Sequence, residues 1–314
     1  MTRGRGYAAG GEEGCVAAAV IEVRDMRKAY GATEAVRGVS FEVGEGEVFA
    51  LLGQNGAGKT SVVEILEGYR RADSGEVRVL GEDPARASRS LRERMGIVLQ
   101  ECAVPPYLRV AEVVELYAGY YPTPRDPAEV LAAVGLTDKA GARVRTLSGG
   151  QQRRLDLGLA LVGRPRVVFL DEPTTGFDPS ARRAAWEIVR GMRQGGTTVL
   201  LTTHYMDEAQ QLADRVAVMV AGRVVAAGDP SSLGGRDRSA SRITFRLPKG
   251  VAPPDSIPAG SASTSGMVSF DTTAPVAVLH QLTGWALRCG VEVEALSVTG
   301  QSLEDVYLEL TSNE

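Results

Sequence analysis

Eight consecutive residues, Gly53-Gln54-Asn55-Gly56-Ala57-Gly58-Lys59-Thr60, put three glycines, a lysine and a hydroxyl where a triphosphate could be held. Glycines let backbone N–H groups turn inward around phosphate oxygens, the helix start that follows adds a partial positive charge, and a lysine at this spacing reaches the β- and γ-phosphates. The Thr60 hydroxyl suits Mg2+. A second group closes the apolar run 167–170: Asp171 can serve Mg2+, and Glu172 can face an attacking water. The run Leu147-Ser148-Gly149-Gly150-Gln151-Gln152 frees backbone donors at a helix start and forms another anion-binding surface.

Such sites need strands that end where the chemistry begins. Three runs, Val48–Leu52, 167–170 and 198–201, are apolar nearly throughout, the pattern of parallel strands covered on both faces. At their C-terminal ends stand the glycine loop, Asp171 with Glu172, and the segment 202–204 ending in His204. Ligands of open α/β sheets bind at that edge. A helix is expected over Lys59–Leu66. Pro105, Pro106, Pro122 and Pro124 mark turns around helical runs at 110–120 and 127–134, which predicts a helical insertion over about 101–150. The Gly-, Ser- and Arg-rich stretch 234–242 reads as a linker. Strands at 243–247, 267–270 and 291–298, with helices over Pro275–Cys289 and 303–310, then predict a small C-terminal accessory domain over 243–314. In the last helix Leu303, Val306, Tyr307 and Leu310 follow i, i+3, i+4, i+7 spacing, so one face is built for packing.

Composition narrows the choice of function. A chain of 314 residues with 44% hydrophobic content suits about two packed domains at ~150 residues each. Its net charge of −4 supplies no general field for a nucleic-acid backbone, so no nucleic-acid partner is expected. Only Lys28, Lys59, Lys139 and Lys249 among the 35 basic residues are lysines, which sets Lys59 apart from an Arg-rich background. Cys15, Cys102 and Cys289 show no paired spacing, against both a disulfide framework and a structural zinc site. No apolar run reaches the ~20 residues of a membrane span. Residues 1–19, rich in Gly and Ala, read as a disordered extension without a signal-peptide pattern.

With the glycine loop and the acidic strand end, the run 147–152 makes the sequence resemble the ATP-binding subunits of ABC transporters, with seven motifs in order over residues 20 to about 230. The resemblance implies an α/β P-loop NTPase over 20–233, with a RecA-like mixed sheet and helical subdomain, followed by a small α+β domain. ATP would be bound by Gly53, Gln54, Asn55, Gly56, Ala57, Gly58, Lys59, Thr60 and Ser61, with Tyr30 stacking on adenine. Thr60, Gln100 and Asp171 would serve Mg2+; Glu172 would be the general base, with Lys59, Gln100 and His204 completing the catalytic set. Ser148, Gly149, Gly150 and Gln151 would act in trans on nucleotide held by a second copy in a head-to-tail homodimer. Asp178 matches the loop that crosses the dimer interface, where Phe177 stands in place of the commoner Leu.

A separate transmembrane permease is the other implied partner, which places the subunit peripherally on the cytoplasmic face of the cell membrane. Residues 102–110, with Pro105, Pro106, Tyr107 and Leu108, combine apolar side chains with a stiff turn and are expected to meet that permease. The closing sequence 301–311 is similar to the tail of the daunorubicin-resistance branch of exporters, implying export of a drug, antibiotic or lipid-like metabolite. A ribosome-acting ABC protein would carry two cassettes, and a chromosome-type ATPase would insert a long coiled coil, whereas only 47 residues separate Gln100 from Ser148. A soluble ATPase or nucleotide switch working without a permease is the remaining alternative.

Overall fold

A computed structural model describes residues 19–86, 88–99, 104–230, 233, 241–248, 251, 254, 261–262 and 267–300. Gln100, Cys102, the extension before Ala19, the expected linker up to residue 240 and the expected helix 303–310 lie outside the described residues. Along the chain the elements run β1 (Ala19–Tyr30), β2 (Thr33–Gly44), β3 (Val48–Leu52), α1 (Lys59–Leu66), β4 (Ser74–Val79), α2 (Arg89–Glu93), β5 (Met95–Val98), α3 (Val110–Ala118), α4 (Pro127–Ala133) and α5 (Gly149–Leu161). There follow β6 (Val167–Asp171), α6 (Pro179–Gln194), β7 (Thr198–Thr203), α7 (Met206–Leu212), β8 (Arg215–Val220), β9 (Arg223–Gly228), β10 (Ser241–Arg246), β11 (Ser261–Ala262), β12 (Met267–Thr272), α8 (Pro275–Cys289) and β13 (Glu294–Gly300). None of the described helices is long and apolar enough to cross a membrane.

Contacts divide the chain into two compact units, one of residues 1–47 and 61–200, the other of 48–60 and 201–314. In the first, β1 lies between β2 and β4, both antiparallel to it. This three-stranded sheet was not foreseen, because register shifts along β1 break the two-residue alternation that would announce it. Strands β5 and β6 pair in parallel, and all five residues of β6 are buried, as its apolar run requires. Helix α5 lies so close to β5 that a Cβ on Gly96 would sit 2.5 Å from the Ala160 carbonyl oxygen, so only glycine fits. The helical stretch 101–150 contains α3 and α4; Asp126 caps α4 by accepting from Ala128 N–H, and Pro127 opens it.

In the second unit β3 is buried along its whole length and pairs in parallel with β8, which turns back antiparallel as β9. Further on, β10 lies between β12 and β13, both antiparallel to it, and α8 packs Val278 and Leu282 with Ile243, Phe245, Val268 and Phe270. Pro275 starts α8 and Gly290, at φ +63°, ends it in the left-handed cap that glycine adopts without strain. The strand expected from residue 243 begins at Ser241, inside the stretch read as a linker, and that expected at 291–298 runs Glu294–Gly300.

Candidate functional site

Strand β3 delivers the glycine loop at its C-terminal end, where Gly53 N–H donates to the Thr203 carbonyl at 3.2 Å. A Cβ at Gly53 would lie 2.5 Å from the Met219 carbonyl oxygen, and Gly56 and Gly58 take φ of +85° and +99°, so the loop needs its glycines for both space and backbone freedom. Lys59 is only 4% exposed, and its ammonium donates to the Gly53 carbonyl at 2.8 Å and the Gln54 carbonyl at 3.1 Å. The ammonium therefore sits inside the loop. Gln54, Asn55 and Thr60 are exposed, Gly58 and Ser61 half-buried, and Ala57 is buried. His204 follows β7, half-buried, with its ring 4.1 Å from that of Tyr205. The Gly53–Thr203 bond brings the phosphate loop and the His204 strand end together.

On the other unit Asp171 ends β6, buried, and Glu172 turns the chain at φ +44°, a left-handed backbone uncommon for a side chain of its kind. The Glu172 carboxylate accepts from the Thr175 hydroxyl at 3.1 Å. Ser148 caps α5: its hydroxyl accepts from Gln151 N–H, while the Gln151 side chain accepts from Ser148 N–H. Asp178 caps α6, accepting from Ser180 and Ala181 N–H at 2.8 and 2.9 Å, a role the sequence reading did not assign. Ser148, Gly149, Gly150, Gln151, Glu172 and Asp178 share the wall of one concavity of about 980 Å3. Tyr30, at the end of β1, is partly exposed, with the Arg70 guanidinium 5.3 Å and the Lys28 ammonium 5.7 Å from its ring centre.

Two residues escaped the sequence reading. Arg153, 8% exposed on α5, donates to the carbonyls of Leu99, Asp171 and Pro173. Glu67, 7% exposed just past α1, has no hydrogen-bond partner on either carboxyl oxygen, and its pKa is pushed up to about 8 by burial first, then by the charges of Asp171 and Glu64. No group of three or more His, Cys, Asp or Glu among the described residues could form a metal cage. Mg2+ binds instead through one or two protein oxygens plus phosphate and water. Asp171 fits such a site: it is a buried carboxylate whose charge already raises a neighbouring acid, and a cation would relieve that.

A family described as ABC transporter matches residues 36–175, and one described as ABC transporter domain-containing protein-like, C-terminal domain, matches 241–302. The daunorubicin resistance ATP-binding protein DrrA2 of Streptomyces coeruleorubidus is 38% identical over 306 residues, covering 93% of this chain and 95% of that protein. The Nod factor export ATP-binding protein I of Paraburkholderia xenovorans is 36% identical, covering 94% of this chain and 98% of that one. Among solved structures, cbiO1 from Clostridium perfringens, part of the ABC transporter complex cbiONQ, superposes with a TM-score of 0.63 at 30% identity, over 68% of this chain and 90% of its own.

Proposed function

The chain belongs to the ABC transporter family as an ATP-binding subunit, and from that premise we propose that it powers export through a separate membrane permease by hydrolysing ATP in a head-to-tail pair. The observation that carries this reading is the glycine loop of a fully buried strand with the Lys59 ammonium held inside it. There the loop N–H groups and Lys59 would take the phosphates. Tyr30 would carry the adenine ring on its exposed side. Thr60 and Asp171, with Gln100, would hold Mg2+, which neutralises charge on the phosphate oxygens.

Glu172 takes the proton of the attacking water, its carboxylate steered by the Thr175 hydroxyl, and His204 orients the terminal phosphate. Ser148 with Gly149 and Gly150 meets nucleotide held by the second copy. The permease docks at residues 104–110, where Tyr107 is 73% exposed beneath the Arg145 guanidinium, and at the adjoining concavity of about 430 Å3 lined by Tyr69, Ile97, Leu99, Val104, Tyr117 and Tyr121. That docking places the subunit on the cytoplasmic face of the membrane. The proposed cargo is a drug, antibiotic or lipid-like metabolite, a reading supported by relatives named for daunorubicin resistance and for Nod factor export.

Phosphate release from ATP tests the reading. The purified chain, alone or reconstituted with its permease, is expected to turn over ATP, and Glu172→Gln to keep nucleotide binding while losing turnover by roughly 10²–10⁴-fold, the usual yield of general-base catalysis. Near-normal turnover by Glu172→Gln would remove Glu172 from that role.

A further inference from the structure

We propose that Arg153 is a positioning residue for hydrolysis, a clamp on the two carbonyls that flank Glu172. Its Nε donates to the Pro173 carbonyl at 3.2 Å and one terminal nitrogen to the Asp171 carbonyl at 3.2 Å. The other terminal nitrogen donates to Leu99, the residue before Gln100. Residue 172 itself is held at φ +44°, and left-handed backbone is strained for a non-glycine residue. Only four torsions separate the Asp171 and Pro173 carbonyls, and the proline ring locks one of them. With both carbonyls gripped by one rigid guanidinium, the backbone at Glu172 has little freedom left, and the direction of its carboxylate is set from outside the turn.

The chemistry of the clamp explains why it is arginine. Three carbonyls from two separate chain segments need three donors in a fixed plane, which guanidinium offers and an ammonium does not. A cation only 8% exposed needs partners for its donors, and the Asp156 carboxylate, one turn along α5 at 4.0 Å, supplies opposing charge. Arg153 also stands five residues after Ser148 on the same helix, so whatever engages the start of α5 moves the clamp with it. Occupation of the Ser148–Gly150 turn is thereby passed to Glu172 and to the chain leading into Gln100.

This inference rests on Glu172 being the base, and a double-mutant cycle separates the two. Arg153→Lys keeps the charge but cannot grip three carbonyls. Its kcat should fall by about 10- to 100-fold, the scale of loss from a small misplacement of a catalytic group, while ATP affinity changes less than about threefold. In a Glu172→Gln background the same substitution should cost less than about twofold, because there is no base left to aim. An unchanged kcat for Arg153→Lys, or an equal fold-loss in both backgrounds, overturns the clamp. Near-normal turnover by Glu172→Gln alone overturns the base assignment instead. Should Arg153→Lys fail to fold, Pro173→Ala restores freedom to the locked torsion while leaving every carbonyl in place. Its kcat should drop several-fold at unchanged affinity, and wild-type kcat there overturns the proposal.

Discussion

At Glu67 the chain keeps a carboxyl out of water near the charge of Asp171, and this gives the fold a pH dependence. The group titrates near about 8 in the native state against an ordinary 4.5, so between those values the folded chain binds more protons than the unfolded one. Stability from this group is complete below about 4.5 and is lost as pH rises through about 8, at up to about 1.4 kcal/mol per pH unit inside the window. Glu67→Gln, which has no proton to lose, should flatten the dependence. Urea denaturation at pH 5.5 and pH 8, with EDTA and without nucleotide, is expected to show the native chain losing roughly 2–3 kcal/mol more than the variant across that interval. Parallel losses would mean that another group sets the slope.

Asp178 caps a helix, and the proposed pairing would give the same side chain a second role at the interface. Its two bonds to Ser180 and Ala181 N–H satisfy donors at the start of α6 that the helix cannot use, and removing such a cap costs about 1 kcal/mol. Asp178→Ala should therefore lower unfolding free energy by about that amount, while Asp178→Ser, which can still cap, should lose a few tenths. If both variants lose hydrolysis equally while differing in stability, the interface role stands apart from the cap. The same contrast explains what was legible in the sequence. Helix α1 and the glycine loop announced themselves because local chemistry fixes them: a buried strand, three glycines and a helix start within a dozen residues. Helix α8 was placed residue for residue by Pro275 at its start and Gly290 at its end. Arg153 was not legible, since the carbonyls it grips lie 18 to 54 residues away and nothing in its helical position distinguishes it from the exposed arginines that dominate this chain. Glu67 was hidden for the same reason: burial of a charge is decided by tertiary packing, which a single acidic residue beside a helix end does not announce.

Across the whole molecule, the proposed pairing makes a prediction that a self-contained site does not. One chain carries one glycine loop and one Ser148 turn, so a head-to-tail pair holds two sites, each assembled from the loop of one copy and the Ser148 turn of the other. Lys59→Ala spoils the loop, and Ser148→Arg fills the turn with a bulky cation and removes its cap. Each homodimer then has two damaged sites. A heterodimer of the two variants gathers both defects into one site and leaves the other intact, so when isolated through two different tags it should recover up to about half of wild-type hydrolysis per dimer, less where the two sites cooperate. If every chain hydrolysed ATP by itself, the mixture would show only the mean of its two crippled components. A heterodimer verified by both tags that turns over no faster than that mean would therefore exclude the trans arrangement, and with it the role given to Ser148, Gly149, Gly150 and Gln151.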